Sequence, residues 1–521
     1  MNALARAVLA ACSRAGVAEY VVCAGARNAA LVMPLAAMSE LDDCPVRVWH
    51  FSEERAAGFF ALGRARALQR PVAVVTTSGT AVAELLPPMV EAFYQNVPLL
   101  AVTADRPASF RGTGAPQAIE QAGIFGGYAV CAVDVETVEA AEICLDGWDL
   151  GQPAHLNVCL PEPGREDCQI SPNDIEALAP AVPLAIGQGK DSRPELDAFL
   201  GSARHLVVLL GSNAPGNRGA LTRLLLELGA PILAEAVSGY REAPELQHLI
   251  VRGGDRSAAR LAVGSVLRIG DVPVWRVWRD LETRSDVPVF SVTMSGFSGL
   301  ARPSTVVRSV DWDGAVGSQH QPFDGGREVL EQILAEFPRS ECGLVRWLSL
   351  EVPPGAVVFL GNSLPVREWN LAASTADRGL RCYANRGANG IDGILSTALG
   401  LCADEDECWI AVGDLTTLYD LSAPWVLEQI SCRKVRIAVL NNGGGRIFSR
   451  LPNLKAVSRT QKEMMENSHG IGFQHWAAMW GMDYVCVRGP QPVALEESPC
   501  VIEIQPDSGQ TESFCNKWEQ C

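Results

Sequence analysis

The sequence predicts an α/β protein of three doubly wound domains, each a parallel sheet covered by helices on both faces. Three observations carry that expectation. Short β-branched, apolar runs, each closed by a Gly, Asn, Asp or Ser turn, alternate with helical patterns, as strands buried on both faces do. The 521 residues exceed what one hydrophobic core serves, and three such units fit that length. Periodicity lapses where Pro, Gly and charge collect, at 161–191 and less sharply at 311–341. Domains are therefore expected at 1–178, 190–335 and 342–521.

In the first domain the strand signals are 19–23, 46–51, 72–76, 99–103 and 155–160. The second gives 205–210, 231–234, 266–269, 288–292 and 305–310, and the third 357–360, 408–412, 435–440 and 500–504. The stretch VGSQHQPFDGG reads as exposed loop, and the acidic patch 404–407 as a solvated loop between a helix and a strand. A hydrophobic fraction of 48 % with 20 % charged residues is that of an ordinary soluble globular chain. The formal charge of −17 repels phosphate backbones, so neither nucleic acid nor an anionic membrane is an expected partner. No uncharged apolar run approaches the ~20 residues of a bilayer span. Arg6 and Arg14 interrupt the N-terminal apolar stretch, which argues against a signal peptide. Sixteen cysteines without a Cys-x-x-Cys pair suit neither zinc nor a small disulfide framework, so reduced thiols and a cytoplasmic location are expected.

Open parallel sheets put ligands at the carboxyl ends of their strands. Asp414 follows one predicted strand in VGDLTTLYDLS, and Asn442 follows the next in LNNGGGRIF. Neighbouring strand ends bring such side chains together. A carboxylate, an amide oxygen and a glycine carbonyl form a hard-oxygen set suited to Mg²⁺, with room left for diphosphate oxygens. The glycines admit close approach of an anion, and the helix after Asp414 turns free N–H groups toward it. Taken singly, each segment is equally a capped turn; the spaced pair is far more specific. In WHFSEERAA a strand ends at Phe51 and a helix begins near Glu53, so Glu53 and Glu54 follow a strand end as well. A carboxylate held in a dry site has a raised pKa and can share a proton, although Ser-Glu-Glu by itself is also an ordinary helix cap. Arg27, Arg106, Arg276, Arg367 and Arg386 all lie at strand ends. The guanidinium fork binds carboxylate bidentately, so this group implies substrates with several carboxylates. No strand is followed by Gly-x-Gly-x-x-Gly, and Gly187-Gln-Gly-Lys-Asp lacks the Walker spacing, which removes the common nucleotide-binding motifs.

The GD and NN pair resembles the diphosphate and Mg²⁺ motif of thiamine diphosphate enzymes, with Leu415 where a small residue is usual. With CAGARNAAL, FSEERAAGFFALG, VVTTSGTAVAELLPPMVEA, VTADRP, QAIEQ, LGNSLPVR, NRGANGIDGILSTALG and NNGGGRIFSRLP, the chain is similar nearly end to end to the 2-succinyl-5-enolpyruvyl-6-hydroxy-3-cyclohexene-1-carboxylate synthase family. The resemblance implies the thiamine diphosphate-enzyme fold, with pyrimidine-binding, middle and diphosphate-binding domains in that order. It also implies a cofactor held between two subunits, and so a homodimer or a dimer of dimers. The implied activity is decarboxylation of 2-oxoglutarate and addition of the succinyl carbanion equivalent to isochorismate, in menaquinone biosynthesis. Two dicarboxylates per turnover account for the arginines.

Residue by residue, the resemblance implies Glu54 as the partner of the aminopyrimidine N1′, with Glu53 as the fallback. Asp414, Asn442 and the Gly444 carbonyl would hold Mg²⁺ or Mn²⁺. Arg27, Arg106 and Gln117 would receive isochorismate, and Ser363 and Arg367 the succinyl carboxylate, with Asn362 and Arg386 completing the polar wall. Arg367 and Arg386 join Glu54 as catalytic candidates, and Arg276 joins the substrate contacts. Ser78, Gly79, Ile391, Gly413, Leu415, Ile447, Phe448 and Leu451 would lie against the cofactor. Two places depart from the family pattern: Ala26 stands where Ser is usual, and Trp-Arg-Val at 275–277 replaces Ser-Lys-Arg or Ser-Lys-Ala. The alternative is another thiamine diphosphate-dependent 2-oxoacid decarboxylase or carboligase with a different acceptor, which predicts GDG in place of GDL.

Overall fold

Runs such as Tyr20-Val-Val-Cys23 offer no polar face to water, and segments of that kind are stable in a sheet covered on both sides. The computed structural model describes residues 1–41, 46–164, 192–323, 327–450 and 457–520, and these runs lie there in three parallel sheets. The first contains β1 (Glu19–Cys23), β2 (Arg47–Phe51), β3 (Val72–Thr76), β4 (Leu99–Asp105), β5 (Cys131–Val135) and β6 (Ala154–Cys159), in the order β2-β1-β3-β4-β6-β5. The second contains β7 (Leu206–Leu210), β8 (Ile232–Ala234), β9 (Ser265–Ile269), β10 (Val289–Val292) and β11 (Thr305–Val307), in the order β11-β10-β9-β7-β8. The third contains β12 (Val357–Leu360), β13 (Arg381–Tyr383), β14 (Glu407–Gly413), β15 (Lys434–Leu440), β16 (Asp483–Val487) and β17 (Cys500–Ile504), in the order β13-β12-β14-β15-β17-β16. Counted from its own first strand, the third sheet repeats the order of the first.

The chain divides into two compact units. One comprises Met1–Gly187, Gly387–Asp406 and Tyr419–Arg433 and holds the first sheet. The other comprises Gln188–Arg386, Glu407–Leu418 and Lys434–Cys521 and holds the second and third sheets over a shared core that includes Trp278, Val358 and Trp369.

Three strands have no counterpart in the sequence reading, and all three are edge strands: β5, β13 and β16. Each is partly exposed, as an edge position requires, so its residues mix polarity and form no continuous apolar run. The strand expected at 305–310 ends at Val307, and the one expected at 99–103 runs on to Asp105. Cys402 and Cys408 are disulfide-bonded, contrary to the expectation of reduced thiols. Among the described residues no helix is long and apolar enough to cross a membrane.

The first unit is organised around the helix Glu54–Leu68, which follows β2 and crosses the helix Ile394–Leu401 at very short range. A Cβ on Gly63 would lie 2.1 Å from the Thr397 carbonyl oxygen, and one on Gly400 would lie 2.2 Å from that of Phe60. Both glycines are therefore required by backbone-to-backbone contact. Arg64, one residue on, is fully buried: its Nε and one terminal nitrogen grip Glu19 at 2.7 and 2.6 Å. The same terminal nitrogen reaches Asp404 at 2.7 Å, and the other donates to the Gly400 carbonyl at 3.3 Å. Trp49 donates its indole N–H to the same Glu19 carboxylate at 2.8 Å. Asp404 also pairs with Arg47 at 2.6 Å; this residue of the acidic patch is exposed, as expected of a solvated loop, and carries two ion pairs as well. Removing Glu19 or Arg64 strands the other as a buried charge, which costs about 3–5 kcal/mol.

Gly63→Ala is expected to destabilise the first unit by about 1–3 kcal/mol, because the added methyl group has only backbone to displace. Thermal denaturation checks this, and an unchanged midpoint would refute the close crossing.

Candidate active site

The turn after β2 places two adjacent carboxylates in different surroundings. Glu53 caps the helix Glu54–Leu68, its two oxygens accepting the Arg55 and Ala56 N–H groups at 3.0 Å each. It also accepts a hydrogen bond from the Ser422 hydroxyl at 3.1 Å. Glu54 is half-buried and lines a pocket of about 590 Å³ together with Thr77, Ser78, Gln117 and Ser422. Burial raises its carboxyl pKa; a backbone hydrogen bond opposes this, and the nearby Glu53 and Glu84 carboxylates add to the rise. The structure thus gathers Glu54, Ser78 and Gln117 around one cavity. Gly79, at φ +86°, has its Cα so close to Gln117 that a Cβ would meet the Gln117 backbone at 3.2 Å. Its N–H donates to buried Gln121 at 3.1 Å, a residue the sequence reading quoted in QAIEQ without assigning a role.

Arg106 donates from Nε to the Pro116 carbonyl at 3.0 Å, beside Gln117. Arg27 is buried, bonded to the Leu160 carbonyl at 3.2 Å and to Glu162 at 3.0 Å. Neither arginine lines the Glu54 pocket. Ile391 is half-buried in the same unit.

In the second unit β14 and β15 run in parallel register, Gly413 opposite Leu440, so the residues that follow them meet. Asp414 is buried; one oxygen accepts the Gly443 and Gly444 N–H groups at 2.8 and 2.9 Å, and the other accepts Leu415 N–H at 2.7 Å. Burial raises its pKa, and the Gly444 and Leu415 N–H groups pull it back, joined by His469, whose Nε2 lies 3.5 Å away. Gly444 sits at φ +131°, where a Cβ would strike the Glu466 carbonyl at 2.5 Å. Asn442 donates its Nδ2 to Glu341 at 2.7 Å, while its Oδ1 is buried with no hydrogen-bond donor. A buried acceptor without a donor is costly, by about 1–3 kcal/mol. Together with the Asp414 carboxylate it forms a hard-oxygen set that fits a divalent cation. Gly413, Leu415, Ile447 and Phe448 flank this loop and are half-buried; Leu451 lies outside the described residues.

A second cluster in that unit joins Asn362, Ser363, Arg367 and Arg386. Arg386 is buried and donates to Asn362 Oδ1 at 3.0 Å, while Asn362 Nδ2 donates to the Asn385 carbonyl at 2.8 Å. Ser363, at φ +71°, starts the helix Leu364–Ala372, and its carbonyl accepts from Arg367 at 2.6 Å. Burial lowers the Arg367 pKa, and Arg386 lowers it further. The sequence reading missed Glu235, fully buried just past β8, whose Oε1 accepts Val274 N–H at 2.8 Å and whose Oε2 has no donor. Burial raises its pKa, and the charges of Arg386 and Arg367 oppose that rise. A lone acid directly after the apolar strand Ile232–Ala234 was the signal available. Arg276 is 63 % exposed and pairs with Asp280 at 3.6 Å, and its backbone N–H donates to Asp255, a carboxylate that also feels the charge of Arg367.

Residues 2–124 match the family described as thiamine pyrophosphate enzyme, N-terminal TPP binding domain. The parallel α/β fold and this match define a thiamine diphosphate-dependent enzyme. The chain is 43 % identical to the 2-succinyl-5-enolpyruvyl-6-hydroxy-3-cyclohexene-1-carboxylate synthase of Akkermansia muciniphila, over 98 % of this chain and 97 % of the relative. It is 39 % identical to the synthase of the same name from Bdellovibrio bacteriovorus, over 99 % and 98 %, and 34 % identical to that of Chloroflexus aurantiacus, over 90 % and 86 %. The chain belongs to the 2-succinyl-5-enolpyruvyl-6-hydroxy-3-cyclohexene-1-carboxylate synthase family.

The two carboxylates after β2 should differ in their effect on stability. Glu53→Ala removes a helix cap and is expected to cost about 1 kcal/mol. The folded chain holds the Glu54 proton to higher pH than the unfolded chain, so ionisation of Glu54 subtracts stability as pH rises. Glu54→Gln should therefore be at least as stable as the parent at neutral pH, with the difference shrinking below pH ~4. Thermal midpoints across that range decide it, and a Glu54→Gln protein less stable at neutral pH would contradict the burial argument.

Proposed function

We propose that the protein decarboxylates 2-oxoglutarate and joins the succinyl unit to isochorismate, giving 2-succinyl-5-enolpyruvyl-6-hydroxy-3-cyclohexene-1-carboxylate and CO₂ in menaquinone biosynthesis. Identity of 43 % over 98 % of the chain to a synthase of that name carries the reading. Thiamine diphosphate, when bound, supplies the electron sink that decarboxylation and carbon–carbon bond formation need. Glu54 is the group that holds and returns a proton at the aminopyrimidine N1′, and its raised pKa favours that role. Ser78, Gly79, Ile391, Gly413, Leu415, Ile447, Phe448 and Leu451 border the cofactor. Asp414, Asn442 and the Gly444 carbonyl hold Mg²⁺ or Mn²⁺; the donorless Asn442 Oδ1 supports this.

Arg367 and Arg386, with Asn362 and Ser363, take the carboxylates of 2-oxoglutarate. Arg367 has Arg386 and Arg279 as neighbouring cations and Asp255 and Glu235 as neighbouring carboxylates, and the guanidiniums gathered in one cluster support this reading. Arg27, Arg106 and Gln117 receive isochorismate. Arg276 reaches a substrate carboxylate by leaving its surface pair with Asp280, a type of pair worth about 0–1 kcal/mol. The pyrimidine-binding, middle and diphosphate-binding domains span 1–178, 190–335 and 342–521, a division supported by one sheet in each range. The working form is a homodimer or a dimer of dimers with the cofactor held between copies, located in the cytoplasm. A formal charge of −17 agrees with the absence of nucleic acid among its partners.

Loss of isochorismate absorbance should require thiamine diphosphate, Mg²⁺ and 2-oxoglutarate together. Glu54→Gln should lower turnover by at least about 10²-fold while cofactor still binds, and near-normal turnover would remove Glu54 from its role. Release of CO₂ from 2-oxoglutarate with isochorismate untouched would favour the reading with another acceptor, in keeping with Ala26 and the exposed Arg276. Asp414→Ala should weaken Mg²⁺-dependent cofactor binding at least about tenfold, and unchanged affinity would refute the metal assignment.

A further inference from the structure

We propose that Glu341 is a positioning residue for the divalent cation: its carboxylate decides which end of the Asn442 amide faces the metal. The inference rests on the reading of Asp414, Asn442 and Gly444 as metal ligands. Glu341 is 1 % exposed and lies in the first turn of the helix Glu341–Glu351, where its own N–H donates to the Thr511 hydroxyl at 3.0 Å. A side-chain amide has a donor end and an acceptor end of nearly equal shape, so its orientation depends on its partners. A carboxylate accepts and does not donate. Glu341 Oε1 therefore selects the Asn442 Nδ2, at 2.7 Å, and turns Oδ1 to the opposite side, where it is buried without a donor.

The second oxygen of Glu341 accepts from Arg450 at 2.8 Å, and the same Arg450 nitrogen also reaches Glu368, 2 % exposed, at 2.7 Å. Asn442 and Arg450 stand near the two ends of the stretch 441–450, so one carboxylate ties down both. Glu368 shares Arg450 with Glu341 but has no bond to Asn442. It also hydrogen-bonds to Glu341 itself, so it reports on the ion cluster as a whole: it is equally buried and has no access to the amide.

The test is Mn²⁺ titration in the presence of thiamine diphosphate, with free Mn²⁺ read by electron paramagnetic resonance. It compares the parent with Asn442→Ala, Glu341→Gln, Glu368→Gln and the double variant Glu341→Gln with Asn442→Ala. Glutamine can donate as well as accept, so Glu341→Gln no longer selects one orientation of the amide. Asn442→Ala and Glu341→Gln should each raise the Mn²⁺ Kd at least about tenfold, as loss of a group that orients a ligand does. Glu368→Gln should stay within about twofold, and the double variant should bind no worse than Asn442→Ala alone, because both changes remove one interaction. If Glu341→Gln binds Mn²⁺ like the parent while Asn442→Ala does not, the positioning role falls and the metal reading stands. If the two effects add, or Glu368→Gln weakens binding equally, Glu341 acts through general stability and the proposal is overturned. If Asn442→Ala leaves the Kd unchanged, the metal reading fails and the inference fails with it. Should Glu341→Gln not fold, Glu341→Asp, which keeps the charge but withdraws it by one methylene, is read by the same criteria.

Discussion

A parallel strand delivers its chain only to the far edge of the sheet, and the placement of functional groups in this protein depends on that restriction. Within each sheet the turns that follow the strands collect along one edge, together with the free N–H groups of the helices that start there. Glu53 and Glu54 follow β2, Glu235 follows β8, Asn362 and Ser363 follow β12, Asp414 follows β14, and Asn442 follows β15. Register does the rest in the third sheet: because Gly413 and Leu440 are paired, Asp414 can accept two N–H groups from the loop beyond β15. The first and third sheets repeat one strand order and so offer the same kind of edge.

Identical chemical groups on these edges behave differently because their hydrogen-bond partners differ. Glu53 is committed to two backbone N–H groups and a hydroxyl, and it serves as structure. Glu54, one residue away, faces a cavity, and burial dominates its titration. Asp414 is more deeply buried but is supported by three backbone N–H groups. Glu235 has one backbone partner, an oxygen without a donor, and two guanidiniums to balance it. Burial sets the demand in each case, and the local donors decide how far it is met.

Such sites need rigid supports, and the glycines and buried arginines provide them. The Gly63 and Gly400 crossing lets two helices touch backbone to backbone, which fixes the axis of the helix whose first residue is Glu54. Arg64 then ties that helix to Glu19 at the start of β1 and to Asp404. In the second unit Arg450 does similar work between Glu341 and Glu368. Arg64, Glu19, Glu341 and Glu368 are nearly inaccessible to water, so removing the partner of one of them leaves a buried charge uncompensated.

The sequence alone determined the fold class, the central strands of all three sheets, and the strand-end positions of Glu53, Glu54, Asp414 and Asn442, because strands buried on both faces and polar turns after them leave local patterns. Edge strands β5, β13 and β16 leave no such pattern, since one side of each is open to solvent and mixed residues satisfy it. Glu235 and Glu341 leave only a weak mark: in sequence each is an acid beside a strand or at a helix start, and only burial against distant chain segments gives them partners. Arg276 fits a substrate-facing pattern in sequence yet lies exposed beside Asp280, because its helix directs it outward. Local periodicity is written residue by residue, whereas the choice between Glu53 and Glu54, the orientation of the Asn442 amide and the pairing of Arg64 depend on contacts between residues far apart in the chain, which only the folded packing supplies.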